Sequence, residues 1–410
     1  MFDQLFTRPH ARGRHVNSPL LKERLDYLRH CTEQSYKPDT LRELAQNLLR
    51  IQNLLGLATS SNAIDAATIE VAVKRTFRSR ISDGRRKQIV SVAIHWLGFL
   101  KRLRLPPVAA PIYRPLKQDF ADYLREQKGL SEGTLRTRCG SVEDFLQWFF
   151  RNHKSLHVIT IADLDEAIAR KGRDERYTRR SIQRYASDLR TFVRYAESKA
   201  WCSQGLAAGI VSPRVYRGES LPRGLFWNDV QRLIASTEGD RPLDVRDRAI
   251  LLLLAVYGLR SIEVRNLKLD DVDWQRNLLF IPRTKGRRTD SYPLSSTVGE
   301  AIARYLECVR PCSPHRAIFL TATAPIQPLG DGAVRRMIAR RALSLNPPVA
   351  PHGAHALRHA CATHLLEQGL SLKDIGDHLG HRNLNSTTIY APVNLTGLRE
   401  VANLSLAGLL

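Results

Sequence analysis

Apolar residues recur at helical spacing along most of the chain. In the middle, Ile182, Tyr185, Ala186, Leu189, Phe192, Val193 and Ala196 form one stripe, which predicts a long amphipathic helix. Arg179, Arg180, Arg184, Arg190 and Arg194 fall between them. The first part of the chain repeats these registers. Thr40-Leu41-Arg42 and Thr134-Leu135-Arg136 each open a long helix. Leu48, Ile51 and Leu55 answer Val142, Phe145 and Phe149, and Ile64, Ile69, Ala72 and Val73 answer Ile159, Leu164, Ala167 and Ile168. Ile89, Val92, Ala93, Trp96, Phe99, Leu100 and Leu103 answer the stripe from Ile182 to Ala196. A tandem copy of one small helical bundle accounts for this; the alternative is the periodicity that any two helical bundles share. The last part is mixed. Arg246 to Leu259, RDRAILLLLAVYGL, reads as an apolar helix, and Leu278–Pro282 with Ser291–Leu294 reads as a hairpin with a basic tip at Thr284-Lys285-Gly286-Arg287-Arg288. Further helices follow. The expected fold is mainly α with a small β-sheet: helical bundles, then an α+β domain.

Two proline- and glycine-bearing stretches punctuate this pattern, Leu105 to Pro111 (extended by Pro115) and Ser212 to Gly224. They divide the chain into an N-terminal helical domain over 1–110, a second helical domain over 111–212, a linker over 213–224, a mixed domain over 225–400 and a tail over 401–410.

Charge narrows the partners. The chain has 63 Lys and Arg against 40 Asp and Glu, a net charge of +23, spread over its whole length. Such an excess attracts polyanions, so a helix with one apolar stripe and a cationic remainder can lie on phosphates. Its plain counterpart is a solvated polar face. No apolar run approaches the ~20 residues of a membrane span, and the start, MFDQLFTRPHARGRH, has no apolar core of signal-peptide length. The six cysteines form no CxxC pair and no disulfide framework. A reduced, cytoplasmic protein with a nucleic-acid partner is the expectation.

Phosphodiester transfer needs a nucleophile, cations for the non-bridging oxygens and an acid for the leaving oxygen. Arginine suits the second role because its planar fork matches a phosphate and stays charged. Three segments supply these types: Tyr257-Gly258-Leu259-Arg260-Ser261-Ile262-Glu263, His355-Ala356-Leu357-Arg358-His359, and Leu379-Gly380-His381 followed by Tyr390. Taken singly, each has a plain explanation. Tyr390 can be a packed surface aromatic, Arg260 can merely pair with Glu263, and His355 with His359 has the spacing of two zinc ligands. No His-Glu-x-x-His is present, however.

Together, in order and at these gaps, the segments resemble the tyrosine recombinase (phage integrase) family. The family's boxes correspond to Gly258-Leu259-Arg260 with Glu263, to HALRHACATHLLEQG from His355 to Gly369, and to Leu379-Gly380-His381 with Tyr390. The likeness runs over roughly Leu221 to Val401, and the middle part resembles the family's SAM-like core-binding domain more loosely. It implies an α+β tyrosine-recombinase catalytic domain and a site-specific recombinase acting in DNA integration, excision or transposition. Tyr390 would attack phosphorus to leave a 3′-phosphotyrosine, Arg260 and Arg358 would clamp the phosphate, and Lys285 would protonate the leaving oxygen. His355 would help deprotonate Tyr390 and His381 would hydrogen-bond the phosphate, with Glu263 and His359 orienting the clamp. Lys268, Arg287 and Arg288 compete with Lys285. One phosphodiester replaces another, so no cofactor and no metal is implied. The rivals are a type IB topoisomerase, which usually has Lys where His355 stands, and a DNA-binding module without cleavage.

The expected partner is double-stranded DNA with an inverted-repeat core site, contacted by Arg179, Arg180, Arg184, Arg190, Arg194, Arg287 and Arg288. The chain would assemble as a dimer or tetramer on that DNA, with accessory recombinases as possible partners. Leu395, Leu398, Val401, Leu404 and Leu406 make the tail apolar, for docking on a neighbouring subunit or back on its own domain. The N-terminal copy, roughly Ser18 to Leu105, would touch DNA outside the core through Arg75, Arg78 and Arg80, Arg85-Arg86-Lys87, and Lys101, Arg102 and Arg104, or else join protomers through Trp96, Leu97 and Phe99.

Overall fold

The computed structural model describes residues 1–59, 62–77, 81–104, 111–215, 225–283, 288–350 and 353–380. The chain divides into two compact units, Met1–Leu105 with Ser220–Leu410, and Pro106–Glu219. In the first unit, one core of described residues runs from Phe2 to Leu97 and another from Leu225 to Ala360. The second unit is built on a core from Phe120 to Ile210. None of the described helices is long and apolar enough to cross a membrane.

The N-terminal core is enclosed by α1 (Phe2–Leu5), α2 (Pro9–Val16), α3 (Leu21–Glu33), α4 (Pro38–Leu54), α5 (Ala66–Phe77) and α6 (Asp83–Phe99), with a two-residue parallel pairing of β1 (Ile64–Asp65) and β2 (Leu103–Arg104). Phe2, Leu5 and Phe6 are buried in it, so this bundle starts well before Ser18. The second unit has α7 (Arg114–Glu126), α8 (Glu132–Phe149), α9 (Ile161–Arg173), α10 (Arg179–Ser198) and the short α11 (Leu206–Gly209). Pro115, read above as linker, instead sits in the first turn of α7. Its fixed φ suits that position, and its missing N–H is one that a helix start leaves unbonded anyway.

The two bundles pack alike. The pairs α3/α4, α4/α5, α4/α6 and α5/α6 recur as α7/α8, α8/α9, α8/α10 and α9/α10. The helix starts keep step: Leu20 with Tyr113, Lys37 with Ser131, Asp65 with Thr160, Ser82 with Thr178, the separation growing by one residue at each connection. Ser82 accepts from the Arg85 N–H and Thr178 from the Ser181 N–H, both at 3.3 Å. This register pairs Ile89 with Tyr185 and Trp96 with Phe192, one turn away from the match made on apolar spacing alone. In keeping with it, Trp96 and Phe192 are both fully buried.

The mixed domain contains α12 (Trp227–Ala235), α13 (Pro242–Val256), α14 (Ser261–Asn266), β3 (Val272–Asp273), β4 (Leu278–Pro282), β5 (Thr289–Pro293), α15 (Ser296–Cys308), α16 (Ala333–Leu343), α17 (Ala354–Glu367) and α18 (Leu372–Leu379). The strands form one antiparallel sheet in the order β3-β4-β5, with Val272 opposite Leu279 and Leu279 opposite Tyr292. Three sequence expectations shift here. The apolar helix starts at Pro242, which again suits a first turn, and ends at Val256, because Gly258 turns into the left-handed region at φ 55°. The second hairpin strand begins at Thr289, not Ser291, and β3 was too short to announce itself.

The matched caps can be tested. Ser82→Ala and Thr178→Ala should each cost about 1 kcal/mol, the usual loss for a hydroxyl N-cap. Denaturant titration of each variant reads this out; a loss at only one position would break the equivalence of the two helices.

Candidate active site

The site grows from the end of α13. Leu251, Leu253 and Leu254 bury the helix in the core, and Gly258 then reverses the chain. A Cβ on Gly258 would lie 2.4 Å from Leu379 and 3.4 Å from the Cys361 sulfur, so only glycine lets α13 approach α17 and α18 here. Arg260 follows as the N-cap of α14. Its backbone N–H donates to Glu263 Oε2 and its Nη1 to Oε1, both at 2.8 Å. The Glu263 side chain is fully buried, while that of Arg260 is 30% exposed, so the charge of Arg260 is anchored at one end and accessible at the other.

A second arginine shares that carboxylate. The alternation of Leu279 and Ile281 in β4 continues to Arg283, just past its end, and Arg283 is buried. Its Nη1 donates to Glu263 Oε2 at 3.0 Å and its Nε to Asp290 Oδ2 at 2.7 Å, and Nη2 donates to the Tyr292 hydroxyl. Tyr292 in turn donates to the His378 carbonyl at 2.7 Å. Gly380, at φ 65°, rests directly on the Arg283 guanidinium: a Cβ there would come within 2.6 Å of it.

Arg358, on α17, closes the arrangement. It is 1% exposed and donates from Nη1 to the Gly258 carbonyl at 2.5 Å and from Nη2 to the Leu379 carbonyl at 2.7 Å. It thereby ties the turn before Arg260 to the last residues of α18. His355 and His359 pack edge to face one turn apart, with ring centroids 4.4 Å apart. Burial, then Arg358 and Arg260, lower the His355 pKa. Burial, then His355 and Arg358, lower His359 to about 4. Both rings are therefore neutral at neutral pH, able to accept a proton or a hydrogen bond. Burial also lowers His378, whose Nε2 lies 3.0 Å from the Val256 carbonyl.

Arg260 and Glu263 thus converge with His355, Arg358 and His359 from two segments. Lys285, Arg287, His381 and Tyr390 lie outside the described residues. Arg288 is described and is paired with Asp290 at 3.0 Å. Among the described residues no group of three or more His, Cys, Asp or Glu side chains could hold a metal ion. Of the arginines read on α10, Arg179, Arg180, Arg184 and Arg194 are exposed, whereas Arg190 is half-buried and donates to the Ile210 carbonyl at 2.7 Å. Arg190 therefore fastens α10 to the chain after α11. Sequence reasoning missed Arg283 and Tyr292. The period-two alternation of LLFIPR was the available signal, because it carries a charge onto the core face, where a carboxylate must meet it.

Comparison with known proteins identifies the family. Residues 225–396 match the phage integrase family model, and residues 118–200 match that of the phage integrase N-terminal SAM-like domain. A putative integrase/recombinase, y4rA, of Sinorhizobium fredii is 36% identical over 290 residues, 70% of this chain and 69% of its own length. Tyrosine recombinase XerD of Listeria innocua is 32% identical over 302 residues, 70% of this chain and 96% of its own length. Among solved structures, XerH site-specific recombinase bound to difH substrate has a TM-score of 0.53 at 17% identity, over 83% of this chain and 94% of its own. A lambda integrase dimer bound to a core site has 0.52 at 18% identity, over 67% and 94%.

Two outcomes follow from the shared carboxylate and the buried histidines. Arg283→Met leaves the buried Glu263 with Arg260 as its one remaining cationic partner, so it should destabilise the mixed domain by roughly 1–3 kcal/mol. Arg283→Met with Glu263→Gln together should cost less than Arg283→Met alone, as denaturant melts can show. For His359 the sign is set by a folded pKa of about 4 against 6.5 for the free side chain. The unfolded chain binds the extra proton, so the contribution of His359 is complete above pH 6.5 and is lost as pH falls toward 4. His359→Gln should flatten stability across that window; an unchanged pH profile would contradict the assignment.

Proposed function

The chain belongs to the phage integrase family of tyrosine recombinases, the enzymes of site-specific DNA recombination, and we propose that Arg260, Arg358, His355, Lys285, His381 and Tyr390 carry the strand transfer in it. The single observation that supports this most is the convergence of Arg260, anchored on the buried Glu263, with Arg358 and the two neutral histidines. Fixed cations and neutral imidazoles beside each other suit a reaction that develops negative charge on a phosphate while moving one proton.

The Tyr390 oxygen attacks phosphorus, with His355 assisting removal of its proton. The bond from phosphorus to the 5′ oxygen breaks, that oxygen takes a proton from Lys285, and a 3′-phosphotyrosine remains. A second 5′ hydroxyl reverses the step, so the number of phosphodiester bonds is conserved and no energy source is consumed. Arg260 and Arg358 neutralise the non-bridging oxygens, His381 adds a hydrogen bond, and Glu263 and His359 hold the arginines and His355 in place. The exposed Arg179, Arg180, Arg184 and Arg194, with Arg287 and Arg288, contact the phosphates of duplex DNA around an inverted-repeat core. The apolar tail over 401–410 docks on the neighbouring subunit of a dimer or tetramer, in the cytoplasm, where accessory recombinases can join. The three segments divide the work as an N-terminal helical domain over 1–110, a core-binding domain over 111–212 and a catalytic domain over 225–400.

A suicide substrate that traps the covalent complex tests the reading. Tyr390→Phe should bind DNA normally and give no covalent complex, since the ring survives and the nucleophilic oxygen is lost. Tyr292 and Tyr305 are buried, their hydroxyls bonded to the His378 carbonyl and the Leu320 N–H, so neither is a ready substitute. Arg260→Ala should slow cleavage by about 10²-fold or more, the scale for losing one oxyanion donor. A covalent complex in Tyr390→Phe, or near-normal cleavage in Arg260→Ala, would refute these roles.

A further inference from the structure

The two bundles differ most where α4 and α8 face outward. In the first bundle, α1 packs on α4 and α2 follows it, and among the described residues neither has a counterpart before α7. Between α2 and α4 runs a furrow made of two cavities of about 600 and 440 Å³, which share Arg14, Leu49 and Arg50. Arg8, Arg14, Arg42 and Arg50 line it together with His10, and among the described residues no carboxylate does. The ion pairs of the described residues engage Arg42, with Asp39 at 2.8 Å, but not Arg8, Arg14 or Arg50. The basic clusters expected from sequence are different: Arg85 is paired with Glu43 at 2.8 Å, and Lys87 with Asp83 at 3.0 Å. Arg78 and Arg80 lie outside the described residues.

The furrow is a built feature. Arg24, fully buried, donates to the carbonyls of His15 at 2.8 Å, Ser18 at 2.9 Å and Pro19 at 3.2 Å, which fixes the end of α2. Phe2 and Phe6 stack on His15, with ring centroids 4.9 and 4.4 Å away. At the other end Arg42 Nε donates to the Leu5 carbonyl at 2.7 Å. The second bundle shows what a version with mixed charge looks like. Counted from the N-caps Lys37 and Ser131, Arg42 corresponds to Arg136 and Arg50 to Asp144. The hollow beside Arg136 is lined by Asp144 and Glu175, which hold Lys171 at 2.7 and 2.8 Å. The hollow on this helix face is lined by both signs of charge in one bundle, whereas the charged residues that line the furrow in the other are all basic.

We infer that the α2–α4 furrow of the N-terminal bundle is a second DNA-binding surface, which takes the sugar-phosphate backbone of duplex DNA outside the segment held by the catalytic domain; this rests on the reading of the chain as a DNA recombinase. Arginine forks match phosphate oxygens. Arg42 and Arg50 stand eight residues apart on one helix, about 12 Å at 1.5 Å per residue. At roughly 3.4 Å of duplex axis per nucleotide, that separation corresponds to about three to four base steps measured along the axis. The contact is to backbone, so it is independent of sequence and lengthens the footprint of the enzyme.

Gly13 offers a variant that spares the fold. It lies in α2 at the furrow, and a Cβ there meets nothing within 4 Å. Gly13→Glu places a carboxylate in the furrow, with Gly13→Ala as the control; both replace a helical glycine with a better helix former. Anisotropy of the full chain on a random-sequence duplex of about 40 bp, titrated over roughly 50–200 mM salt, gives the slope of log affinity against log salt. Arg14→Ala with Arg50→Ala should reduce that slope by about 2, near 0.9 for each lost phosphate contact. Gly13→Glu should weaken binding at low salt by tenfold or more, and Gly13→Ala should match the wild type. Wild-type slopes in the double variant and in Gly13→Glu would overturn the inference, including the case in which those variants lose assembly and the furrow serves an acidic protein surface instead. A flat salt response in the wild type would overturn the DNA reading itself.

Discussion

One carboxylate organises the mixed domain. Glu263 is fully buried, and burying an ionised carboxylate costs several kcal/mol unless partners replace water. Its partners are Arg260, three residues back, and Arg283, just past the end of β4 and reached only after α14 and β3. Both arginines are fixed by the need to satisfy the same two oxygens. Arg283 then passes the constraint on. Through Tyr292 it reaches the His378 carbonyl, and its guanidinium forms the surface on which Gly380 rests. The segment before Arg260, the base of the basic hairpin and the end of α18 are thereby registered by one buried network. A network of this kind rewards completeness, since a half-satisfied member is worse than an apolar replacement.

Arg358 does similar work with backbone acceptors. It bridges the carbonyls of Gly258 and Leu379, and each of those residues adjoins a bend that only glycine allows. Gly258 is crowded by Leu379 itself, and Gly380 follows it. The two turns and the arginine between them form one unit. A planar fork can hold two carbonyls at once, whereas an ammonium group is a point charge on a flexible stem, so lysine is a poor substitute at this position.

Much of this was legible in the sequence, for identifiable reasons. The Gly258-Leu259-Arg260 and His355–His359 segments stood out because they concentrate chemistry-bearing residues at short spacing. The small sheet and its hairpin followed from alternation in Leu278–Pro282. Arg283 was not legible as a site residue, because a charged residue next to a basic turn looks solvated until Glu263 is seen across from it. Helix ends were misplaced where a proline begins a helix, at Pro115 and Pro242, since proline reads as a breaker without its partners in view. The third block of the duplication slipped by one turn for a related reason. Apolar residues every three or four positions match themselves after a turn, and only the caps Ser82 and Thr178 fix the register.

The duplication also shows what packing requires and what it leaves open. From the caps, Lys171 corresponds to Thr76 and Tyr185 to Ile89. In the second bundle Lys171 is 2% exposed, held by two carboxylates, with the rings of Tyr177 and Tyr185 at 5.3 and 5.0 Å. Tyr185 donates to Asp144 at 3.1 Å, and burial, followed by that carboxylate, raises its pKa. The first bundle carries none of these residues at the matching positions and still pairs its helices in the same way. The apolar stripes and caps are therefore enough to specify the bundle, and the polar network is an addition to it. That division explains how two copies can keep one fold while their outward faces take different charge.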